Sequence, residues 1–356
     1  MTLLQDSLRS VGLEQTCTNH TVLFRRSKDF PNLVLFTYDQ FNSNMSDKVV
    51  QESRGIILDE SNNWEIVSRA FDKFFNFGEG HCAPIDYASA TFFKKEDGSM
   101  ISLYYYDNNW RVATTGSPDA GGNMGISTKT FAQMFWEVFN ESGGSLQNLD
   151  TDNTYIFELC TPYNKVVVSH KTSRLVLLAC RSHKTGFYQP RTPGIAGNIP
   201  WVETFGLSSM DDAINTFNHI QGSGFEGYVV EDSKGNRIKV KHPGYVALHH
   251  FMDHKLTSMS KLLAIVVKGE VSEVTTYFPE YEKDFAELQV KLDNFKDNLQ
   301  VSYDKYKNIV EQKDFALAIK NEKLRSAMFL MRNKGYTVED VVNNISLDFL
   351  LETINE

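Results

Sequence analysis

Hydrophobic periodicity changes near residue 250 of this 356-residue chain. Before that point, apolar residues come in short runs separated by turn residues, a pattern that predicts strands and hairpins. From about Phe251 onward they recur at helical spacing, and the longest stripe predicts one face of a long helix. Its members are Tyr281, Phe285, Leu288, Leu292, Phe295, Leu299, Tyr306 and Ile309. We therefore predict an α+β fold, with antiparallel sheets in a domain over residues 1–249 and an all-helical domain over residues 250–356.

The overall composition is that of an ordinary globular protein. Hydrophobic residues make up 41% and charged residues 23%, and the length is ample for two cores. The net charge of −9 argues against broad, non-specific binding of nucleic acid. A local basic cluster can still bind nucleic acid within an acidic chain, so the composition leaves a nucleic-acid enzyme open.

Cysteine usage and hydropathy predict an intracellular protein. Cys17, Cys82, Cys160 and Cys180 form no C-x-x-C pair and no zinc spacing, so we expect reduced thiols. The sequence shows no recognisable signal peptide and no run of 18 apolar residues that could span a membrane. We expect a cytoplasmic protein with no membrane partner, acting in the host cytoplasm if the chain is viral. A monomer is expected.

Local patterns predict the elements of the first domain. Residues 1–15 have the spacing of one amphipathic helix, and Leu33–Tyr38 has the composition of a strand. Val166–Val168 and Leu175–Cys180 are expected to continue the sheet. The predicted hairpins turn at Asp59–Asn63, Asp107–Asn109 and Asp232–Asn236.

The tail should contain two helices after the long one. Asp314–Met331 has the pattern of a single helix that ends before Gly335. Thr337 with Asp340 three residues later predicts the capped start of a last helix.

The stretch Phe92–Ser99 contains the most reactive candidate. An apolar run predicts a strand, and Asp97-Gly98 then turns the chain, so Lys95 lies at a strand end where it can reach into a cleft. An ordinary lysine has a pKa near ~10.4. Partial burial beside Lys94 and other cations should make its neutral, nucleophilic amine accessible. The alternative is a solvated surface turn, because Lys-x-Asp-Gly alone is a weak signal.

Other charged residues occur in apolar surroundings. Lys73 is embedded among aromatics, where it either snorkels at a core edge or serves a site. Glu158 lies on an apolar strand, so it either faces a solvated edge or pairs with a cation. Arg237, Lys239 and Lys241 share one face of a strand and repel one another unless an anion lies between them or the strand is a solvated edge.

These residues occur in an order that resembles the covalent nucleotidyltransferases, the superfamily of polynucleotide ligases and mRNA capping enzymes. Lys95-Glu96-Asp97-Gly98 is similar to the nucleophile motif, and the later motifs are similar to Phe157-Glu158, Glu226-Gly227-Tyr228-Val229 and Lys239-Val240-Lys241. The flanking segments resemble the T-even phage RNA ligase 1 family in particular. They are Ser53-Arg54-Gly55, Lys73-Phe74-Phe75-Asn76 and Tyr245. The resemblance covers roughly Phe36 to His249.

The resemblance implies an ATP-dependent RNA ligase with a nucleotidyltransferase fold. Lys95 would be the nucleophile that forms a lysyl-adenylate, and Glu158 and Glu226 would bind Mg²⁺, with Mn²⁺ as an alternative. The substrates would be RNA 3′-OH and 5′-phosphate ends, with nicked tRNA as one candidate in RNA repair. The helical domain would position RNA. The implied ATP-binding residues are Tyr38, Arg54, Lys73, Phe75, Gly98, Glu158, Glu226, Gly227, Lys239, Lys241 and Tyr245.

One position departs from the family pattern. Family members carry a lysine before the Gly-Ser that follows the second hairpin strand, and this chain has Thr115 there. The missing cation is either lost or supplied from elsewhere, for example by Arg111.

Three alternatives stay open. A DNA ligase or a capping enzyme would normally continue with a small β-barrel, whereas the chain after Lys241 has helical spacing. A catalytically inactive RNA-binding relative would be expected to lack Lys95 or a carboxylate, and none is missing.

Overall fold

The computed structural model describes residues 1–40, 42–125, 127–163, 167–220, 224–246 and 259–355. The chain divides into two compact units, Met1–His249 and His250–Glu356. The predicted change to helical structure at Phe251 lies outside the described residues.

Three sheets form the framework of the first unit. The first has the order β1-β2-β3-β4, the second β10-β9-β7-β8, and the third β11-β6-β12-β13-β5. All pairings are antiparallel except the one between β13 and β5. The strands are β1 Val22–Arg26, β2 Leu33–Tyr38, β3 Ile56–Asp59, β4 Glu65–Ser68, β5 Phe75–Asn76, β6 Thr91–Lys95, β7 Ser99–Tyr106, β8 Asn109–Thr114, β9 Asn153–Cys160, β10 Arg174–Ser182, β11 Thr204–Phe205, β12 Gly227–Glu231 and β13 Arg237–Lys241.

Besides a helical segment at residues 243–246, five α-helices accompany these sheets in the described part of the first unit. They are α1 Leu3–Val11, α2 Leu13–His20, α3 Lys48–Glu52, α4 Phe131–Glu141 and α5 Met210–Thr216. The prediction of one helix over residues 1–15 was wrong. Gly12 has a φ of 81°, a left-handed conformation that ends α1 and begins α2.

The sheets bury apolar side chains, and the first two do so on both faces. The second sheet packs against α4, where Phe135 and Phe139 contact Phe157 of β9. In the third sheet, the rings of Phe92 and Tyr228 pack edge to face with centroids 6.2 Å apart. Phe92 belongs to β6, the strand that ends at Lys95, so the aromatic core fixes the strand that carries the candidate nucleophile.

Val166–Val168 was expected to continue the sheet. Val167 and Val168 are not in a strand, and Val166 lies outside the described residues. The backbone N–H groups of Val167 and Val168 instead donate to Asp97 Oδ2, at 3.0 and 2.6 Å. A carboxylate that accepts two backbone donors competes with strand pairing for the same groups.

The second unit is helical throughout its described residues. Its longest helix, Glu282–Tyr306, buries Phe285, Leu288, Leu292, Phe295 and Leu299 of the predicted stripe. The helices are α6 Met259–Val267, α7 Val271–Tyr277, α8 Glu282–Tyr306, α9 Gln312–Ala318, α10 Arg325–Lys334, α11 Val338–Asn344 and α12 Leu347–Asn355. No helix in the described ranges is long and apolar enough to cross a membrane.

Two predictions for the tail were wrong in detail. Asp314–Met331 forms two helices, α9 and α10, because a polar turn lies between Ile319 and Leu324 and lets both of these residues bury their side chains. Glu322 in that turn accepts a hydrogen bond from the Tyr306 hydroxyl at 2.7 Å. Thr337 does cap a helix, but α11 is followed by α12 and is not the last.

Candidate active site

Lys95, at the end of β6, lines a cavity of about 510 Å³. Charged side chains from several strands line one part of it, and apolar side chains line another. Five of the residues expected in a nucleotide site contribute to the lining, namely Arg54, Lys95, Gly98, Glu158 and Lys239. The apolar part includes Phe93, Met100, Leu178, Val202 and Val229. A cavity of this size, with apolar walls and a few convergent charges, suits a small ligand such as a nucleotide.

Lys95 forms a buried ion pair with Glu226. Lys95 Nζ lies 2.6 Å from Glu226 Oε1, and the two side chains are 21% and 5% exposed. The strand register brings them together, because Lys95 pairs with Gly227, the residue that follows Glu226.

The structure contradicts the expectation that neighbouring cations would favour the neutral amine of Lys95. Burial acts to lower the pKa of Lys95, but the carboxylates of Glu226 and Glu158 outweigh it and raise the pKa above the ordinary lysine value. The surroundings of Lys95 therefore favour its protonated form.

Glu158 is the second carboxylate at Lys95. β9 lies between β7 and β10, so Glu158 is on an interior strand and not on a solvated edge. Burial raises the pKa of Glu158 to about 8, and Lys95 opposes that rise. Burial likewise raises the pKa of Glu226 against the opposing charges of Lys95 and Lys241.

Several cations surround Lys239. Burial lowers the pKa of Lys239 well below its ordinary value, and Arg54, Lys73, Lys95 and Lys241 lower it further by repulsion. β13 lies between β12 and β5, so Lys239 is not on a sheet edge. Mutually repelling cations around one cavity are suited to an anionic ligand.

Arg237 also lines the cavity, but it has partners within the protein and does not need an anion to offset its charge. It pairs with Glu231 at 2.7 Å and lies against the ring of Tyr188, 3.7 Å from its centroid. Its charge is therefore satisfied within the protein.

Lys73, Tyr38 and Phe75 lie beside the main cavity without lining it. Lys73 Nζ donates to the Tyr38 hydroxyl at 3.0 Å and lies 5.7 Å from the centroid of the Phe75 ring. Lys241 and Tyr245 are also outside the lining, with Lys241 Nζ 5.9 Å from the centroid of the buried Tyr245 ring.

Two glycines allow strands to approach closely beneath the site. A Cβ atom on Gly98 would lie 2.6 Å from the carbonyl oxygen of Leu159. Gly227 has a φ of 143°, and a Cβ atom there would lie 2.1 Å from the carbonyl oxygen of Val240. Any side chain at either position would push apart the strands that carry Lys95, Glu158 and Glu226.

Thr115 lines the cavity, at the position where family members have a lysine. Arg111 does not replace that lysine, because it packs on the Phe30 ring at 4.1 Å and donates to the carbonyl oxygen of Tyr106 at 3.1 Å. The suggestion that Arg111 supplies the missing cation is therefore wrong.

Sequence reasoning placed Asp97 in a turn and both Glu96 and Asp97 in the nucleophile motif, but it predicted no partner for either side chain. Asp97 binds the backbone of Val167 and Val168, and Glu96 pairs with Arg174 at 2.6 Å. Both contacts tie the turn after Lys95 to a segment about 70 residues further along the chain. The presence of Asp in the Lys-x-Asp-Gly motif was the only sequence signal for the contact of Asp97. Its partners are backbone N–H groups, which no side-chain motif reveals.

A network of ion pairs lies next to Lys73 in the chain and includes the preceding residue, Asp72. Asp72 accepts paired hydrogen bonds from Arg69 and Arg181, with distances of 2.9 to 3.2 Å. Arg69 also lies 3.5 Å from Glu52, which accepts the backbone N–H of Leu4 at 2.9 Å. The network therefore connects α1 to the residue that precedes Lys73.

Comparison with known proteins identifies the family of the chain. Residues 52–245, more than half of the chain, match the T4-type family model described as RNA ligase. This chain belongs to that RNA ligase family. The match spans the segment from α3 to Tyr245 and therefore includes Lys95 and both carboxylates.

Relatives of the chain include other members of the RNA ligase family. A protein of Autographa californica nuclear polyhedrosis virus, named as a bifunctional polynucleotide kinase/RNA ligase, is 27% identical over 76% of this chain and 41% of its own length. An RNA ligase of Rhodothermus phage RM378 is 25% identical over 73% of each chain. The chain thus spans less than half of the first relative. Among solved structures, an archaeal ATP-dependent RNA ligase aligns with a TM-score of 0.48 at 11% identity, covering 82% of this chain and 79% of that protein.

Replacing Asp97 by Ala should loosen the loop after β9. The change leaves two backbone donors without an acceptor, and we expect a loss of about 1–3 kcal/mol in the free energy of unfolding. Urea denaturation measures this loss, and limited proteolysis around residues 167–170 reports the loop. Asp29→Ala is the matched control, because Asp29 is an exposed aspartate of the same unit. Equal stability of the two variants would contradict the anchoring role.

Proposed function

We propose that this chain is an ATP-dependent RNA ligase that joins RNA 3′-OH and 5′-phosphate ends. The observation that carries the proposal is the Lys95–Glu226 pair at 2.6 Å, beside a cavity lined by cations and apolar side chains. Family membership supports the RNA substrate. We propose further that nicked tRNA is one substrate and that the enzyme acts as a monomer in the cytoplasm.

ATP would bind with its base among apolar side chains and its phosphates among cations. Met100, Leu178, Val202 and Val229 offer an apolar surface to a purine. Arg54 and Lys239 face the same cavity, with Lys73 and Lys241 near enough to lower the pKa of Lys239. A triphosphate relieves the repulsion among these cations, and they in turn stabilise charge that develops during phosphoryl transfer. The remaining proposed contacts are Tyr38, Phe75, Gly98, Gly227 and Tyr245.

Catalysis would begin when Lys95 loses its proton. Glu226 Oε1 lies within hydrogen-bond distance, and its raised pKa makes it an acceptor of that proton. The free amine attacks the α-phosphorus of ATP, a P–N bond forms, and the P–O bond to pyrophosphate breaks. An RNA 5′-phosphate oxygen then attacks the lysyl-adenylate and releases Lys95. Attack by an RNA 3′-OH on the adenylylated end expels AMP and forms the phosphodiester.

The carboxylates also suit a divalent cation. Mg²⁺ is usually held by one or two carboxylates together with substrate phosphates, and Mn²⁺ accepts the same oxygen ligands. Glu158 lines the cavity and would hold the ion; Glu226 would join it once its contact with Lys95 is exchanged. Among the described residues no cluster of three or more His, Cys, Asp or Glu residues could bind a metal ion, so phosphate oxygens would complete the site. The ion would neutralise charge on the leaving pyrophosphate.

Replacing Lys95 by Met should abolish the covalent adduct. Wild-type protein incubated with ATP and Mg²⁺ should gain the mass of one AMP, and peptide mapping should place it on Lys95. Lys94→Met is the control, since Lys94 is the neighbouring lysine and pairs with Glu96 at 3.4 Å. Circular dichroism checks that both variants fold. An adduct on Lys94, or one that persists in Lys95→Met, would refute the assignment.

Replacing Glu158 or Glu226 by Ala should reduce RNA joining by at least about 10²-fold, the scale for losing one preorganised electrostatic contact. Joining of single-stranded RNA at low Mg²⁺ is the measurement. Glu65→Ala is the control, because its side chain is 60% exposed. Normal joining by both site variants would mean that the carboxylates are structural.

A shortened chain ending at residue 249 should still form the lysyl-adenylate, because every residue proposed for ATP binding precedes that point. RNA joining should fall more than adenylation, since a domain that positions RNA acts on the later steps. The test compares adenylate yield with joining rate in the same preparation. Equal loss of both in a folded protein would assign the helical unit to the nucleotide site.

A further inference from the structure

A second groove, of about 380 Å³, borders the candidate active site. Phe74 and Arg237 line both the groove and the main cavity, so the two are adjacent. We call it the lysine groove and define it by Lys48, Lys73, Lys234, His81 and Phe187. Only Lys73 among these has a proposed role in ATP binding.

The charge of the lysine groove is opposite to that of the whole chain. Five basic side chains and one acidic side chain line it, in a protein whose net charge is −9. Arg181 pairs with the single carboxylate, Asp72, and Arg237 pairs with Glu231. Lys48 donates to the neutral Gln51 side chain at 2.8 Å, and Lys73 to the Tyr38 hydroxyl. The lysines therefore leave a net positive charge that favours an extended anion.

Aromatic rings stand beside these lysines. Phe187 is 74% exposed at the rim, an unusual position for a large apolar side chain. The exposed His81 ring lies 5.3 Å from the Phe75 ring, centroid to centroid. Lysines interleaved with accessible aromatics are the combination that binds single-stranded nucleic acid, through phosphates and stacked bases.

The protein holds this arrangement in place. Arg181 bonds Asp72 with two nitrogens and donates its Nε to the carbonyl oxygen of Gly186 at 2.8 Å. One side chain thus fixes both the segment before Lys73 and the turn that presents Phe187. A groove whose side chains are already held in place loses less conformational entropy on binding a ligand than a surface of independently moving side chains.

We propose that the lysine groove binds the single-stranded backbone of the RNA beside the end that is being joined. The inference rests on the proposed function for its substrate. ATP fills the main cavity and extends at most to Lys73, whereas Lys48, Lys234 and Phe187 lie along the groove beyond it and contact successive nucleotides.

The test uses the full chain with the double variant Lys48→Glu/Lys234→Glu and the single variant Phe187→Ala. The probe for binding is a fluorescent, 5′-phosphorylated single-stranded RNA of about twelve nucleotides, followed by anisotropy over a range of salt concentrations. We expect the double variant to raise the Kd at least about tenfold and to flatten the salt dependence, because two phosphate contacts are lost. Phe187→Ala should raise the Kd about tenfold through lost stacking.

Two activity measurements separate RNA from ATP as the ligand. Self-adenylation with ATP and without RNA should stay within about twofold of wild type in both variants, while sealing of pre-adenylylated RNA should fall in parallel with RNA binding. The controls are Lys28→Glu and Leu23→Ala, two exposed positions of the same unit that line neither the groove nor the main cavity.

The outcomes are distinct. Unchanged RNA binding in both groove variants overturns the proposal, and so does an equal loss of self-adenylation, which would assign the groove to the ATP phosphates. Anisotropy needs no catalysis. If the wild-type protein forms no adenylate but the groove variants still lose RNA binding, the groove assignment holds and the proposed function fails.

Discussion

The buried contact between Lys95 and Glu226 is the interaction on which the arrangement of the site depends. Each partner compensates a charge that would otherwise be costly to bury, and removing one partner of such a pair typically costs about 3–5 kcal/mol. The pair exists only because β6 and β12 are held in a register that places Gly227 opposite Lys95. The aromatic core around Phe92 and Tyr228 maintains that register. Core packing and site chemistry are therefore linked through two adjacent strands.

The site divides into an acidic side at Lys95 and a basic side at Lys239. Glu158 and Glu226 surround the amine, whereas Arg54 and Lys239 face the region where phosphates would lie. Neither side is stabilised by its own charges: burial raises the pKa of both carboxylates, and repulsion adds to burial in lowering the pKa of Lys239. The ligand-free protein thus stores unfavourable electrostatics that a cation and a polyanion would relieve together, the pattern expected of a preorganised site.

Local features of the sequence were sufficient for individual strands and hairpin turns. The strand Leu33–Tyr38 and the hairpin turns at Asp59, Asp107 and Asp232 depend on neighbouring residues, and the structure has them. The charge state of Lys95 could not be predicted, because Glu226 comes 131 positions later and only sheet register brings it near. The loop at Val167 could not be predicted either, because its hydrogen-bond partner Asp97 is distant in the sequence. In the tail, the apolar residues keep helical spacing across the turn between α9 and α10, so the sequence pattern did not reveal that turn. The turn allows Ile319 and Leu324 to be buried in the core of the helical unit.

The depressed pKa of Lys239 has a thermodynamic consequence for ligand binding. An anion that enters beside Lys239 offsets the burial and the repelling cations, so the pKa of Lys239 rises again on binding. At a pH between the pKa of the free and of the bound protein, Lys239 gains a proton when the anion binds. Association of a polyphosphate with this cluster is then accompanied by uptake of hydrogen ions from the buffer. The affinity for the anion consequently weakens as the solution becomes more alkaline, and the heat of association contains a contribution from the ionisation enthalpy of the buffer. The cation cluster acts as a proton-linked receptor.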